Sequence, residues 1–270
     1  MKLKQFQIVL ENYLSVNIGW FLMQKYDLFH SGFYQNKIPV WPCPTCGAQA
    51  LSCPDGQFRK KYKTPVDTSH PEFEPEWIEY VFTMELKCSS ASCGCQVVCL
   101  GTGDVTHECL DDEVGTWGWV DNFQVKYFEP PLKIFVPPVD TPHWVKQALD
   151  TSFSMFFSSP SASLSALRSA LEVLLDEMEI GSVDEGGRFL SLARRISLLS
   201  DDRREIVEPA NAIRWLGNDG THAGGFQVRR RDVIDGYRIF EHILSALYPE
   251  KKAPIDELVV RINAAKGLGR

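Results

Sequence analysis

From about residue 140 onward, apolar positions recur at helical spacing. "TPHWVKQALDTSFSMFFSS" (141–159) predicts a first helix, with Thr141 as its cap and Pro142 in its first turn. In "LSALRSALEVLLDEMEI" (164–180), Leu164, Leu167, Leu171, Leu174, Leu175 and Met178 form one stripe, flanked by an i,i+4 pair, Arg168 and Glu172. A third helix is expected over 188–200, with Leu192, Ile196 and Leu199 inward. A fourth follows over 201–217, capped by Asp201 or Asp202 and open to a kink at Pro209. A fifth, over 230–248, turns Val233, Tyr237, Phe240, Ile243, Leu244 and Leu247 to the core, and a short last helix is expected over 254–265. Short connections between such helices make a bundle.

The first half follows other periods. "WIEYVFTMELKC" (77–88) is rich in β-formers and partly alternating, and "CQVVCLGTG" (95–103) reads as the returning strand of a hairpin. "NFQVKYFEPPLKIFVPP" (122–138) holds two extended runs broken by proline pairs, an edge strand and then a linker. At the start, Val9, Leu10, Tyr13, Leu14, Ile18, Phe21 and Leu22 keep helical spacing. Glu11, Asn12 and Asn17 interrupt them, so this amphipathic segment suits packing on the fold better than a signal peptide or membrane span. The expected class is α+β: a helical segment over 1–40, a β module over 41–138 and a helical bundle over 139–270.

All eight cysteines lie between Cys43 and Cys109, a crowding that favours metal over disulfides in a reducing compartment. "CPTCG" (43–47) is a Cys-x2-Cys-Gly knuckle, and "KCSSASCGC" (87–95) offers Cys88 and Cys93 with glycine again after the second. Two such knuckles on neighbouring hairpins close a four-thiolate site in a zinc ribbon. The expected ligands are Cys43, Cys46, Cys88 and Cys93 around one structural zinc. Cys95 is an alternative to Cys93, and Cys53 a weaker one. Cys99 and Cys109 read as core thiols or a disulfide.

The net charge of -7 disfavours extended binding to nucleic acid through charge alone. No membrane segment is apparent, so the cytoplasm is the expected location. "GTGD" (101–104) is too short for a phosphate loop, and no Walker, dinucleotide or Ser-His-Asp pattern is present.

"AIRWLGNDGTH" (212–222) sets Arg214, Asn218 and His222 four residues apart in succession, so a continuous helix would place them on one face. Gly217, Asp219 and Gly220 argue for a helix end instead. Three cations, Arg229, Arg230 and Arg231, follow at the expected start of the next helix, where the dipole mildly opposes them, which suggests an anion nearby. With Arg214 they could form a rim for RNA phosphates. Trp117 and Trp119 either pack on the β module or stack on bases or a partner.

"RSALEVLLDEM", "AIRWLGNDGTHAG" and "RDVIDGYRIFEHILSALYP", with the lead-in "YFEPPLKIFVPP", resemble the bacterial domain-of-unknown-function family 4145 over about residues 127–250. That family is related to the HEPN superfamily, many of whose members are metal-independent ribonucleases of toxin and anti-phage systems. The resemblance implies a HEPN-like bundle, a homodimer, an RNA substrate and a neutralising or partner protein. It implies roles for Arg214, Asn218 and His222 as the catalytic cluster. The chain departs from the usual arginine–histidine spacing: seven residues separate Arg214 from His222, and Gly217 stands where the arginine is expected. The alternative function is a non-catalytic, zinc-stabilised module that binds nucleic acid, a nucleotide or a protein.

Overall fold

A computed structural model describes residues 26–111, 115–221, 227–249 and 259–264. Residues 26–30 are helical and bury the rings of Tyr26 and Phe29. Seven strands then build one antiparallel sheet: β1 (Phe33–Tyr34), β2 (Trp41–Pro42), β3 (Gln49–Ser52), β4 (Phe58–Tyr62), β5 (Glu79–Cys88), β6 (Gln96–Asp111) and β7 (Thr116–Glu129). Their order is β1-β7-β6-β5-β3-β2, and β4 lies beside β3 along the same edge of β5.

β5 alternates without a break. Tyr80, Phe82, Met84, Leu86 and Cys88 point inward, and the residues between them are exposed. The inner face closes on aromatic rings: Phe123 of β7 meets Phe58 at 4.9 Å, Phe82 at 5.5 Å and Phe33 at 5.8 Å. β6 and β7 are longer than their neighbours. β5 pairs with β6 only as far as Asp104, whereas the β6–β7 ladder continues to Asp111 and Thr116. The outer part of this hairpin is therefore an arm that extends past β5.

The helical half comprises α1 (His143–Met155), α2 (Pro160–Glu177), α3 (Leu192–Ile196), α4 (Val207–Thr221) and α5 (Arg230–Leu247). α2 is central: its stripe of Leu164, Leu167, Ala170, Leu171, Leu174 and Leu175 is buried, and it packs on α1, α4 and α5. The Tyr237 hydroxyl of α5 lies 2.9 Å from Ser152 Oγ of α1 and 2.7 Å from Ser163 Oγ of α2, a buried polar contact joining three helices. The two halves share one apolar core. Phe128 of β7 meets Phe157 at 4.8 Å, and Phe157 meets Phe29 at 6.4 Å. Among the described residues, no helix is long and apolar enough to cross a membrane.

Several expected boundaries shift, each for a local reason. Thr141 does not cap α1: its buried hydroxyl has no hydrogen-bond partner, and Pro142 takes the cap position. The helix expected over 188–200 is only α3, because residues 183–189 fold into a turn closed by the Val183–Phe189 bridge, and Ser191 caps what remains. Residues Asp201–Ile206 form a 3-10 helix preceded by Ser200, so neither Asp201 nor Asp202 caps α4. The break in this region falls at Arg203 (φ -114°), not at Pro209. Pro209 sits in the first turn of α4, where no helical N–H is lost. Glycine does not end α4 at 217 either, since the helix runs on to Thr221. Of the helical segment expected over 1–40, residues 1–25 lie outside the described residues, 26–30 are helical and 33–34 form β1; most of the last helix expected over 254–265 also lies outside them, although 259–264 are helical.

Candidate functional site

Local spacing and sheet register together assemble the cysteine site. The first knuckle joins β2 to β3, and the second joins β5 to β6. Each closes in the same way: Cys43 N–H donates to Ala48 O at 2.8 Å, and Cys88 N–H donates to Cys95 O at 2.8 Å. Gly47 (φ +73°) and Gly94 (φ +63°) adopt the left-handed conformation that each tight turn demands. The antiparallel pairing of Leu51 with Cys88 then sets one knuckle against the other.

The sulfurs of Cys43, Cys46, Cys88 and Cys93 all lie within 4.8 Å of one another. Cys43 and Cys93 are 3.7 Å apart, as are Cys46 and Cys88. A tetrahedron with metal–sulfur bonds of about 2.3 Å has edges of about 3.8 Å, so the four sulfurs suit one metal ion. The surroundings favour a thiolate at Cys43. Burial opposes its ionisation, but the amides of Cys46 and Thr45 and the neighbouring thiols outweigh it and bring the group down to about 6. Once one thiolate is present, a second is harder to form without a cation. The Ser90 amide favours ionisation of Cys88, yet burial and the sulfurs of Cys46, Cys43 and Cys93 push it up to about 12.

Cys95 lies outside the cluster: its sulfur accepts from Thr45 Oγ1 at 3.2 Å and contacts Gln96 O. Cys53 contacts Pro54 O. Buried Cys99 faces Phe128 and Met84 across the sheet, whereas Cys109 pairs with Trp117 out on the arm. No disulfide joins any of the eight cysteines.

The polar cluster of the helical half is only partly described. Arg214 donates to Asn211 Oδ1 at 3.3 Å, and its guanidinium lies 3.9 Å over the Trp215 ring, which is exposed. Asn218 is engaged by Arg168 of α2, whose Nη1 donates to Asn218 Oδ1 while its Nε donates to Glu172 Oε1 at 3.3 Å. Gly217 makes this approach possible, because a Cβ there would lie 2.5 Å from Arg168 Cβ. His222 lies outside the described residues. Sequence reading placed Arg168 only in an i,i+4 pair with Glu172. Its meeting with Asn218 spans 50 residues and leaves no local signal.

The arginine triplet divides. Arg229 caps α5 and pairs with Asp232: its N–H donates to Oδ2 at 2.8 Å and its Nη2 to Oδ1 at 3.4 Å. Arg230 turns inward, where its guanidinium donates to the carbonyls of Val125 and Phe157 and lies 5.2 Å from the Phe157 ring. Arg231 remains exposed.

Comparison with known families follows the same division between sheet and helices. Residues 150–265 match the family model of a domain of unknown function, DUF4145. Residues 31–128 match a second such domain, DUF8608. The DUF4145 match runs from within α1 past the end of α5, so the lead-in "YFEPPLKIFVPP" (127–138) falls outside it. The DUF8608 match spans β1 to the penultimate residue of β7, which is almost the whole sheet and both knuckles. Neither curated proteins nor solved structures give a match to the chain.

Proposed function

We propose that the chain is a HEPN-like, RNA-directed effector whose sheet is held by a structural zinc and whose helical half cleaves RNA without a metal. The observation that carries this reading is the hydrogen bond from Arg168 to Asn218. The sequence lacks an arginine directly before Asn218, and α2 brings one to that asparagine from another helix. Arg168 and Arg214 would hold the scissile phosphate, the task a planar guanidinium does best.

His222, four residues beyond Asn218 in sequence, would take the proton from a ribose 2′-hydroxyl. The 2′-oxygen would attack phosphorus, and the 5′-oxygen would leave with a proton from His222 of a second copy. The products are a 2′,3′-cyclic phosphate and a 5′-hydroxyl. Zinc is the reading for the metal because four thiolates suit a soft tetrahedral ion and leave no open position for substrate. A homodimer, a neutralising or partner protein and a role in phage defence or a toxin system belong to the same reading and rest on the resemblance to HEPN proteins; a cytoplasmic location belongs to it too and rests on the absence of an apparent membrane segment in the sequence.

A second reading is a non-catalytic binding module: Arg229 bonds Asp232 and Arg230 bonds main-chain carbonyls of this chain, which takes two of the three cations away from an RNA-facing rim.

Cleavage of end-labelled single-stranded RNA in mild EDTA separates the two. The ribonuclease reading expects cyclic-phosphate ends from the wild type and a loss of about 100-fold or more in His222→Ala and Arg168→Ala, each folded and loaded with metal. RNA left intact by all three proteins would move the function to the binding module.

A further inference from the structure

We infer that the open edge of β4 docks an acidic, extended segment of a partner protein, which would join the sheet as one more strand. This does not rest on the RNA reading, because it uses none of the residues of the helical half.

β4 pairs with β5 alone, in unbroken register from Phe58–Met84 to Tyr62–Tyr80. Just beyond its ends, Lys63 N–H donates to Glu79 O at 2.8 Å, and Glu85 N–H donates to Gln57 O at 3.3 Å. Antiparallel hydrogen bonding alternates along a strand, so Arg59 and Lys61 also turn their main-chain groups to β5. The N–H and C=O groups of Phe58, Lys60 and Tyr62 point the other way, and among the described residues they meet no partner. Open donors and acceptors at alternate residues of a regular strand are a template for another strand.

The side chains of β4 divide by face. Phe58 stacks on Phe82 at 5.3 Å, Tyr62 stacks on Tyr80 at 5.6 Å, and Lys60 is held by Asp121, so these three belong to the inner side. Arg59 and Lys61 share the outer side and are exposed. Among the described residues, no carboxylate pairs with either of them. Their neighbours on β5, Thr83 and Val81, are neutral, and so are Leu100 and Thr102 behind those on β6. Of the β5 acids on this face, Glu79 is paired with Lys63 at 2.9 Å, and Glu85 stands opposite Gln57, beyond Arg59.

Charge selects the occupant. Two copies of β4 paired antiparallel about Lys60 would set Arg59 of one copy directly against Lys61 of the other, and like charges in that position repel. The two cations thus deter self-association at this edge. An incoming strand with acids opposite Arg59 and Lys61 meets them as non-hydrogen-bonded pairs, the closest side-chain spacing of an antiparallel ladder. Its residues between the acids would lie on the inner side beside Phe58 and Tyr62, where apolar side chains fit. RNA phosphates share the attraction to Arg59 and Lys61, but a nucleotide chain has no alternating N–H and C=O groups to give the edge.

The test uses the full-length protein, calorimetry and four probes. These are a short peptide of alternating glutamate and valine, the same peptide with lysine for glutamate, the glutamate peptide N-methylated at its valines, and single-stranded oligouridylate. N-methylation removes the N–H groups that would meet the edge and leaves the charges in place. The expected result is binding of the unmodified glutamate peptide alone, weakened about tenfold or more in the Arg59→Glu, Lys61→Glu double variant. Both side chains are exposed and unpaired, so this variant should keep its melting temperature and metal content. Arg59→Gln, Lys61→Gln, a milder change at the same positions, should weaken binding in the same direction. Absence of glutamate-peptide binding to the wild type, equal binding of the N-methylated peptide, or equal binding by wild type and the glutamine variant would overturn the proposal. Binding of oligouridylate that depends on Arg59 and Lys61 would overturn it in favour of nucleic acid.

Discussion

Leu51 of β3 is the antiparallel partner of Cys88 of β5, and this pairing fixes how the two cysteine knuckles face each other. Neither strand alone brings four sulfurs together, and β3 is only four residues long. A metal ion across the knuckles would therefore tie β2 and β3 to the long strands β5 and β6. We expect about one zinc per chain by elemental analysis. Cys43→Ser and Cys88→Ser should abolish metal binding and lower the melting temperature, because part of the folding free energy of such a module comes from the metal. Cys95→Ser should keep the metal. Loss of metal in Cys95→Ser with retention in Cys93→Ser would show that the ligand set is wrong.

Arg195 of α3 is 3% exposed in its whole residue, and three of its four side-chain hydrogen bonds go to main-chain oxygens. It donates to Glu172 O, inside the C-terminal half of α2, and twice to Ile180 O, beyond the helix end, at 2.6–2.9 Å. Its ionic partner, Asp176, is reached at 2.7 Å but is 54% exposed in its side chain. The carbonyls should therefore matter more than the ion pair. Arg195→Met should cost about 2–3 kcal/mol in denaturant unfolding, since it takes both side-chain donors from the Ile180 carbonyl. Asp176→Asn should cost under about 1 kcal/mol. Equal losses in the two variants would make the ion pair the main contributor.

What the sequence made legible was local. The Cys-x2-Cys-Gly spacing named its knuckle because the geometry of a turn is written within five residues. β5 was visible because a β-rich, partly alternating run needs only its own residues. The end of α4 was misread for the opposite reason. Gly217 reads as a helix stop on its own, but in the fold it is the point where Arg168 crosses, 49 positions away in sequence. The partners of Arg230 were hidden likewise, since Val125 and Phe157 come together only when the sheet docks on the helices. The exposed placement of Trp117 and Trp119 follows from β6 and β7 outrunning β5, a length mismatch that no single segment records.

Gly217→Ala tests this crossing. Alanine is favoured over glycine by about 1 kcal/mol in the interior of an exposed helix, so propensity alone predicts stabilisation. Here the new Cβ would lie 2.5 Å from Arg168 Cβ and 2.9 Å from its Cδ. The nearer atom belongs to the root of the side chain, which cannot swing away, so α2 and α4 must part. A net destabilisation of about 1–3 kcal/mol is expected. An unchanged or raised melting temperature would show that the two helices do not pack this closely.

Tyr80 gives the fold a specific alkaline limit. Burial, together with the Asp121 carboxylate beside it, pushes its phenol up to about 12 from the ordinary 10.0. A folded-state value above the unfolded one means that the native protein holds this proton more tightly. The associated stability is complete below pH 10 and is lost as the pH rises towards 12. Tyr80→Phe has no proton to lose, so its stability should fall less steeply across that window, by up to about 2 kcal/mol relative to the wild type. Lysine and other tyrosine ionisations are common to both proteins and cancel in the difference. Unfolding curves at several pH values between 9 and 12 measure it, and parallel pH profiles for the two proteins would mean that Asp121 and burial exert no net hold on this phenol.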